Sequence, residues 1–168
     1  YKMKNLLKNK KVCPLIKLGF MKVEILVAIS IITASILATT AVTQKSIYIS
    51  RQAFHATQAA FLLEEGAEAV RIFRDNAWSN ISTLSANTNY YPTFSLGTWT
   101  LSSTANTVGI FTRTATIANV NRDNITKDIS GIGTDDPGTK LVTITISWME
   151  GGIIVTKTLP FYITNIFS

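Results

Sequence analysis

Cysteine occurs once in the 168 residues, at Cys13, so no disulfide can form within one chain and packing and hydrogen bonds must hold the fold. Histidine also occurs once, at His55. The sequence has no HExxH, no GxSxG and no phosphate-binding loop, which removes the residue sets for zinc hydrolysis, serine-type acyl transfer and P-loop phosphoryl transfer. An enzyme is not expected, and no cofactor is implied. Acidic residues are missing before Gly19, where Lys2, Lys4, Lys8, Lys10, Lys11 and Lys17 lie. Those six lysines account for the whole formal charge of +6, because the remaining 10 basic residues balance 10 acidic ones. A basic nucleic-acid-binding patch on the folded part is therefore not expected. The lysine cluster reads instead as the cytoplasmic flank of a membrane segment. Cys13 precedes the apolar run rather than following one, which discounts it as a lipid attachment site.

Charge is absent again from Ile25 to Gln44, 20 residues, about the length of helix that crosses a hydrocarbon core of roughly 30 Å. Ser30, Thr33, Ser35, Thr39 and Thr40 make this run less apolar than a simple anchor and suit close helix–helix contact in a membrane. Proline is missing between Pro14 and Pro92, so nothing forces a break from Phe20 to Arg74. Ala53, Ala56, Ala60, Leu63, Ala67 and Val70 recur at spacings of three and four, an apolar stripe on a continuing helix. Glu68 with Arg71, and Arg71 with Asp75, stand three and four apart on its outer side.

After about residue 76 the composition changes: 35 of the last 90 residues are Ser, Thr or Asn, and β-branched runs replace the helical period. In KLVTITISWMEGGIIVTKTLPFYIT, Val142, Ile144, Ile146 and Trp148 alternate with Thr143, Thr145 and Ser147. A two-residue turn at Gly151-Gly152 sets Trp148 opposite Val155, Ile144 opposite Leu159 and Val142 opposite Phe161, with Lys157 opposite Ile146. Pro160 requires that the second strand lie at a sheet edge or bend. TWTLSS near Trp99 and GIFTRTATIANV from Gly109 to Val120 are further strand candidates.

Few side chains are candidates for chemistry. His55 lies beside the alanine stripe, where surface or packing roles suit it better than acid–base work. Glu64, Glu65 and Glu68 fit a solvated helix face. Asp135 and Asp136, in GIGTDDPGTK, suit a turn; with nearby carbonyls they also offer oxygen ligands to calcium, although their spacing matches no defined calcium loop. Asn80-Ile-Ser82 and Asn124-Ile-Thr126 fit the N-glycosylation pattern. Glu24 is the one acid at the mouth of the apolar run, and by itself it fits a helix start.

The stretch GFMKVEILVAISIITASIL resembles the processing site and first helix of type IV prepilins and pseudopilins. FLLEEGAEAVRIFRDNAW and VTITISWMEGG look like the helix end and terminal hairpin of minor-pilin-like proteins. The resemblance implies a basic leader over residues 1–19, cut by a prepilin peptidase between Gly19 and Phe20, with the new amino terminus then methylated. It further implies a filament-core and transmembrane half-helix over residues 20–45 and a globular domain over 46–168. The expected fold class is α+β, a long N-terminal helix packed on an antiparallel sheet. The implied role for Glu24, fifth residue of the mature chain, is assembly, by pairing with the Phe20 amine of a neighbouring subunit.

The expected function is thus a structural subunit of a type IV pilus-like filament or type II secretion pseudopilus. Its partners would be other pilin or pseudopilin subunits, prepilin peptidase, an inner-membrane assembly platform and membrane lipid. It would begin as a single-pass membrane protein and end in a filament at the cell surface or in the periplasm. The alternative is an extracellular binding or adhesin domain, either secreted by signal-peptide cleavage after Ala41 or displayed on the same anchor.

Overall fold

The structure, a computed structural model, describes residues 14–167, with side chains from residue 21 onward. Of the expected leader, residues 1–13 lie outside the described residues, and for Gly19 and Phe20 only the helical backbone is described. The chain divides into two compact units, Tyr1–Ser50 and Arg51–Ser168.

One helix, α1, runs from Pro14 to Asn76 without interruption, as the lack of proline allows. Up to Ser50 it makes up the described part of the first unit. Its remainder opens the second unit, which continues through a single turn of helix, α2 (Ser79–Ser82), and seven strands. These are β1 (Asn89–Ser95), β2 (Thr98–Ser102), β3 (Thr107–Val108), β4 (Phe111–Arg122), β5 (Ile129–Ser130), β6 (Thr134–Glu150) and β7 (Ile153–Thr164). All pair antiparallel in one sheet of order β2-β1-β4-β6-β7, with β3 and β5 also joined to β4. The protein is α+β, a long N-terminal helix with an antiparallel sheet.

Alternation decides which sheet face meets α1. Phe111, Ala115 and Ile117 of β4 and Val142, Ile144, Ile146 and Trp148 of β6 are buried against Ala59, Ala67 and Val70 of the helix. Between them, Thr112, Thr114, Thr116, Thr143, Thr145 and Ser147 turn to the opposite face, where hydroxyls tolerate water. Each fully buried aliphatic side chain contributes roughly 1.5–3 kcal/mol, so β4 and β6 hold most of the stabilising area.

The β6–β7 hairpin has the expected register: Trp148 pairs with Val155, Ile144 with Leu159, Val142 with Phe161 and Ile146 with Lys157. Gly151 and Gly152 have φ of 57° and 84°, the left-handed pair that a tight two-residue turn demands. β7 is an edge strand, which is where Pro160 is tolerated.

The helix face differs from the stripe expected. Ala67 and Val70 are buried and Ala56 and Leu63 half-buried, but Ala53 and Ala60 are exposed, and the contact line passes through Ala59 and Gly66 instead. Alanine is small enough for either face, so its spacing does not say which line packs. Arg71 pairs with Glu68 as expected, whereas Asp75 is held by its neighbour Arg74.

GIGTDDPGTK is not a reversing turn. From Thr134 it belongs to β6, and the ladder with β4 jumps from Asn119↔Lys140 to Asn121↔Asp135, leaving residues 136–139 as a bulge. Pro137 has no N–H to give the ladder, so the strand bows out around it and rejoins its partner beyond.

Candidate functional site

The apolar part of α1 leaves its side chains uncovered within the chain. The helix contains an 18-residue window of mean hydropathy 2.3, none of it buried, and is long and apolar enough to cross a membrane. Ile25, Leu26, Ile29, Ile32, Ile36 and Leu37 are each more than half exposed. Glu24 lies on this helix, also exposed, with Lys22 two positions before it and no further charge until Lys45.

The hydroxyls in this segment are satisfied by the helix itself. Ser30 donates to the Leu26 carbonyl (2.7 Å), Thr33 to Ile29 (2.8 Å), Ser35 to Ile31 (2.8 Å), Thr39 to Ser35 (2.8 Å), Thr40 to Ile36 (2.8 Å) and Thr43 to Thr39 (2.9 Å). Each hydroxyl proton is thereby kept from lipid, which removes the penalty that an unpaired donor would carry in hydrocarbon. At the C-terminal limit of the run, the Lys45 ammonium sits 5.3 Å from the centre of the Tyr48 ring, a pairing of types that suits a membrane–water boundary.

In the sheet unit, three charged clusters tie distant segments together. His55 Nδ1, on α1, is hydrogen-bonded to Glu150 Oε2 at the end of β6, and Trp148 Nε1 donates to the same oxygen at 3.2 Å. The bond from His55, reinforced by Trp148, holds the Glu150 carboxyl below its usual pKa although burial opposes this. Nothing in sequence spacing could have found this pair, whose members are 95 positions apart. His55 also borders a groove of about 490 Å³ between α1 and the β3–β4 turn, lined by Gln58, Phe61, Leu62, Val108, Ile110 and Phe111 among others.

Arg113 points into the core from β4. Its Nη2 donates to the Pro92 carbonyl (3.2 Å), and its guanidinium lies 5.3 Å from the Trp99 ring centre. Nη1 is 3.1 Å from Glu65 Oε2, an ion pair by distance, but neither Nη1 nor Nε makes a well-aligned hydrogen bond. Glu65 stays on the exposed side of the helix, as expected of it, while its carboxylate reaches the buried Arg113.

Asp136 sits in the bulge of β6. Its Oδ2 accepts from Arg122 Nε (2.6 Å) and its Oδ1 from the Gly138 N–H (2.9 Å), with Arg122 as the main cause of its lowered pKa. Arg122 also reaches the Thr139 hydroxyl (3.2 Å). Both Asp136 oxygens are thus engaged within the protein, and Asp135 is exposed on the neighbouring position. Among the described residues no group of three or more His, Cys, Asp or Glu could hold a metal ion. Of the glycosylation-type asparagines, Asn80 donates to the Phe73 carbonyl (2.9 Å) and Asn124 accepts from Thr134 (2.6 Å).

Of the sequence-expected site residues, Glu24 belongs to the apolar helix of the first unit, and Asp135 and Asp136 to β6 of the second, Asp135 paired with Asn121 and Asp136 in the bulge. Comparison with models of protein families, with curated proteins and with solved structures found no match.

Proposed function

We propose that the chain is a non-catalytic structural subunit, a minor pilin or pseudopilin, of a type IV pilus-like filament or type II secretion pseudopilus. The observation that carries this reading is Glu24 at the edge of the uncovered apolar run of α1, the fifth residue after the Gly19-Phe20 boundary. A helix of that length and exposure needs lipid or other helices around it. A carboxylate inside hydrocarbon costs about 3 kcal/mol on insertion scales, so its presence calls for a partner.

On this reading, prepilin peptidase cuts before Phe20, and the new amine, methylated but still basic, is largely protonated near neutral pH. Glu24 of one subunit then meets the Phe20 amine of the next. Each ion loses part of its desolvation penalty in the pair, and the pairing fixes axial register more than it adds net stability. The hydroxyls bonded back onto α1 let neighbouring helices approach closely without stranding donors. The sheet domain, with the charged clusters confined to it, occupies the aqueous side. An assembly platform in the inner membrane would add subunits to the growing filament.

The test is the mass of the mature amino terminus. Cleavage by prepilin peptidase gives a chain starting at methylated Phe20. A mature chain starting at Val42 would instead mean signal-peptide cleavage and a secreted binding domain. That outcome would require processing within α1, which is continuous through Ala41.

A further inference from the structure

From Asn76 to Thr112 the sequence runs 37 residues without Asp, Glu, Lys, Arg or His. This uncharged stretch builds the β1–β2 hairpin and also the Val108–Phe111 wall of the groove beside His55. At the hairpin tip, Leu96 is completely exposed, at 101% of its reference area, and has a φ of +52°. Left-handed backbone is disfavoured for a bulky aliphatic residue, and a tight two-residue turn ordinarily places Asn or Asp there. Leu96 thus accepts strain and exposure together, with no burial inside its own chain in return. Behind it, Phe94 is 59% exposed and lies against Trp99, ring centres 5.3 Å apart. The hairpin end is an apolar finger.

The groove is the complementary feature. Its volume of about 490 Å³ falls in the range of ligand-sized clefts, roughly 300–1,000 Å³. Phe61 and Ile110 on its two sides are 66% and 54% exposed. Its lining holds no acidic residue and no lysine or arginine, and its one ionisable side chain, His55, is already bonded to Glu150 within the chain, so an uncharged apolar insert meets no unpartnered ion there.

We propose that the Phe94–Leu96 finger of one copy of this chain seats in the His55–Phe61–Ile110 groove of a second copy. Finger and groove are different surface patches, so the contact is heterologous. Contacts of that kind repeat head to tail and build open assemblies, where an isologous contact would stop at a dimer. The inference rests on the filament reading for its setting and adds to it a specific contact between sheet domains. Since the finger carries no charge and the ion pair bordering the groove, His55–Glu150, is closed within the chain, the contact holds when salt shortens the screening length to below about 5 Å, near 0.5 M.

The experiment is disulfide cross-linking of the full chain in membranes and in sheared filaments. A Cys13→Ser background carries Leu96→Cys with Phe61→Cys, both at exposed positions that leave the core intact. The expected result is a ladder of dimer, trimer and longer species, equally strong in low and high salt. Leu96→Cys with Ile125→Cys, at another fully exposed site, should give none. Leu96→Asp should abolish the contact without lowering Tm, since Asp suits the left-handed turn better than Leu, and Leu96→Met should restore it. Filaments without the ladder overturn the contact and leave the filament reading standing. A ladder in membranes without filaments supports the contact and overturns the filament reading. A Phe61→Cys adduct of foreign mass, with no ladder, identifies another protein as occupant and overturns the proposal.

Discussion

Gly66 of α1 and Ile144 of β6 meet so closely that a Cβ at position 66 would stand 2.9 Å from Ile144 Cγ2 and 3.2 Å from Arg113 Cδ. Glycine in mid-helix ordinarily costs about 1 kcal/mol relative to alanine. Here it is the residue that lets the helix lie down on the sheet.

Gly66→Ala should therefore destabilise the protein despite alanine's better helix propensity. Overpacking costs about 1–3 kcal/mol, which exceeds the propensity gain, so the expected net loss is about 1 kcal/mol, and Gly66→Leu should cost more. Urea unfolding of a soluble chain beginning near Ser46 measures it. A gain in stability from Gly66→Ala would mean that Ile144 moves aside easily and that the contact is not tight.

The His55–Glu150 bond makes stability depend on acid in a defined direction. Bonding holds the folded-state Glu150 carboxyl below its ordinary value of 4.5, chiefly through His55. Asp136 and Asp123 are likewise held below 3.8, by Arg122 and by the Thr126 and Ile125 N–H groups respectively. The unfolded chain takes up these protons first as pH falls. The stabilisation is complete above about pH 4.5 and is lost as pH drops through the folded values. Tm should decline as pH falls below about 4.5, and Glu150→Gln should flatten that decline. An unchanged slope in Glu150→Gln would place the acid sensitivity elsewhere.

Asp136 is bonded to Arg122 and to the Gly138 N–H, so the Asp135–Asp136 segment is expected to hold its shape without a cation. A chelator should leave the helix and sheet content of the chain from Ser46 unchanged. Arg122→Ala should cost up to about 1 kcal/mol, the ordinary value for a partly exposed pair. Circular dichroism with chelator titration checks the first, and urea unfolding the second. Loss of structure on chelation would make this loop a calcium site.

How far the sequence showed the fold follows from the range of each interaction. The β6–β7 register was legible because alternation and the Gly151-Gly152 turn act over a few residues. The continuity of α1 was legible from missing proline. The packed line of α1 was not, because alanines at 53 and 60 look the same as alanine at 59 until Ile144 and Gly66 are seen in contact. β1 was missed because NYYPTFS carries a proline and no clean alternation, and its place is set by β4 and β2. Asp-Pro-Gly reads as a turn locally, yet β4 on one side holds it within a strand as a bulge. Glu24 was singled out from position alone, whereas Glu150 needed the fold to bring it to His55.

The most direct measurement compares membrane-fraction and sheared-filament abundance for the wild type, Glu24→Leu and Glu24→Asp. Replacing the acid by leucine removes the cost of a carboxylate near lipid, so insertion and cleavage should be undiminished or improved. Incorporation into filaments should fall at least tenfold for Glu24→Leu, because the neighbour's Phe20 amine is then buried without its partner, at a cost of about 3 kcal/mol or more. Glu24→Asp, which keeps the charge on a shorter arm, should fall between the two. Equal amounts of all three proteins in filaments would contradict the account and leave Glu24 as an exposed charge within α1, which begins at Pro14, with no part in assembly.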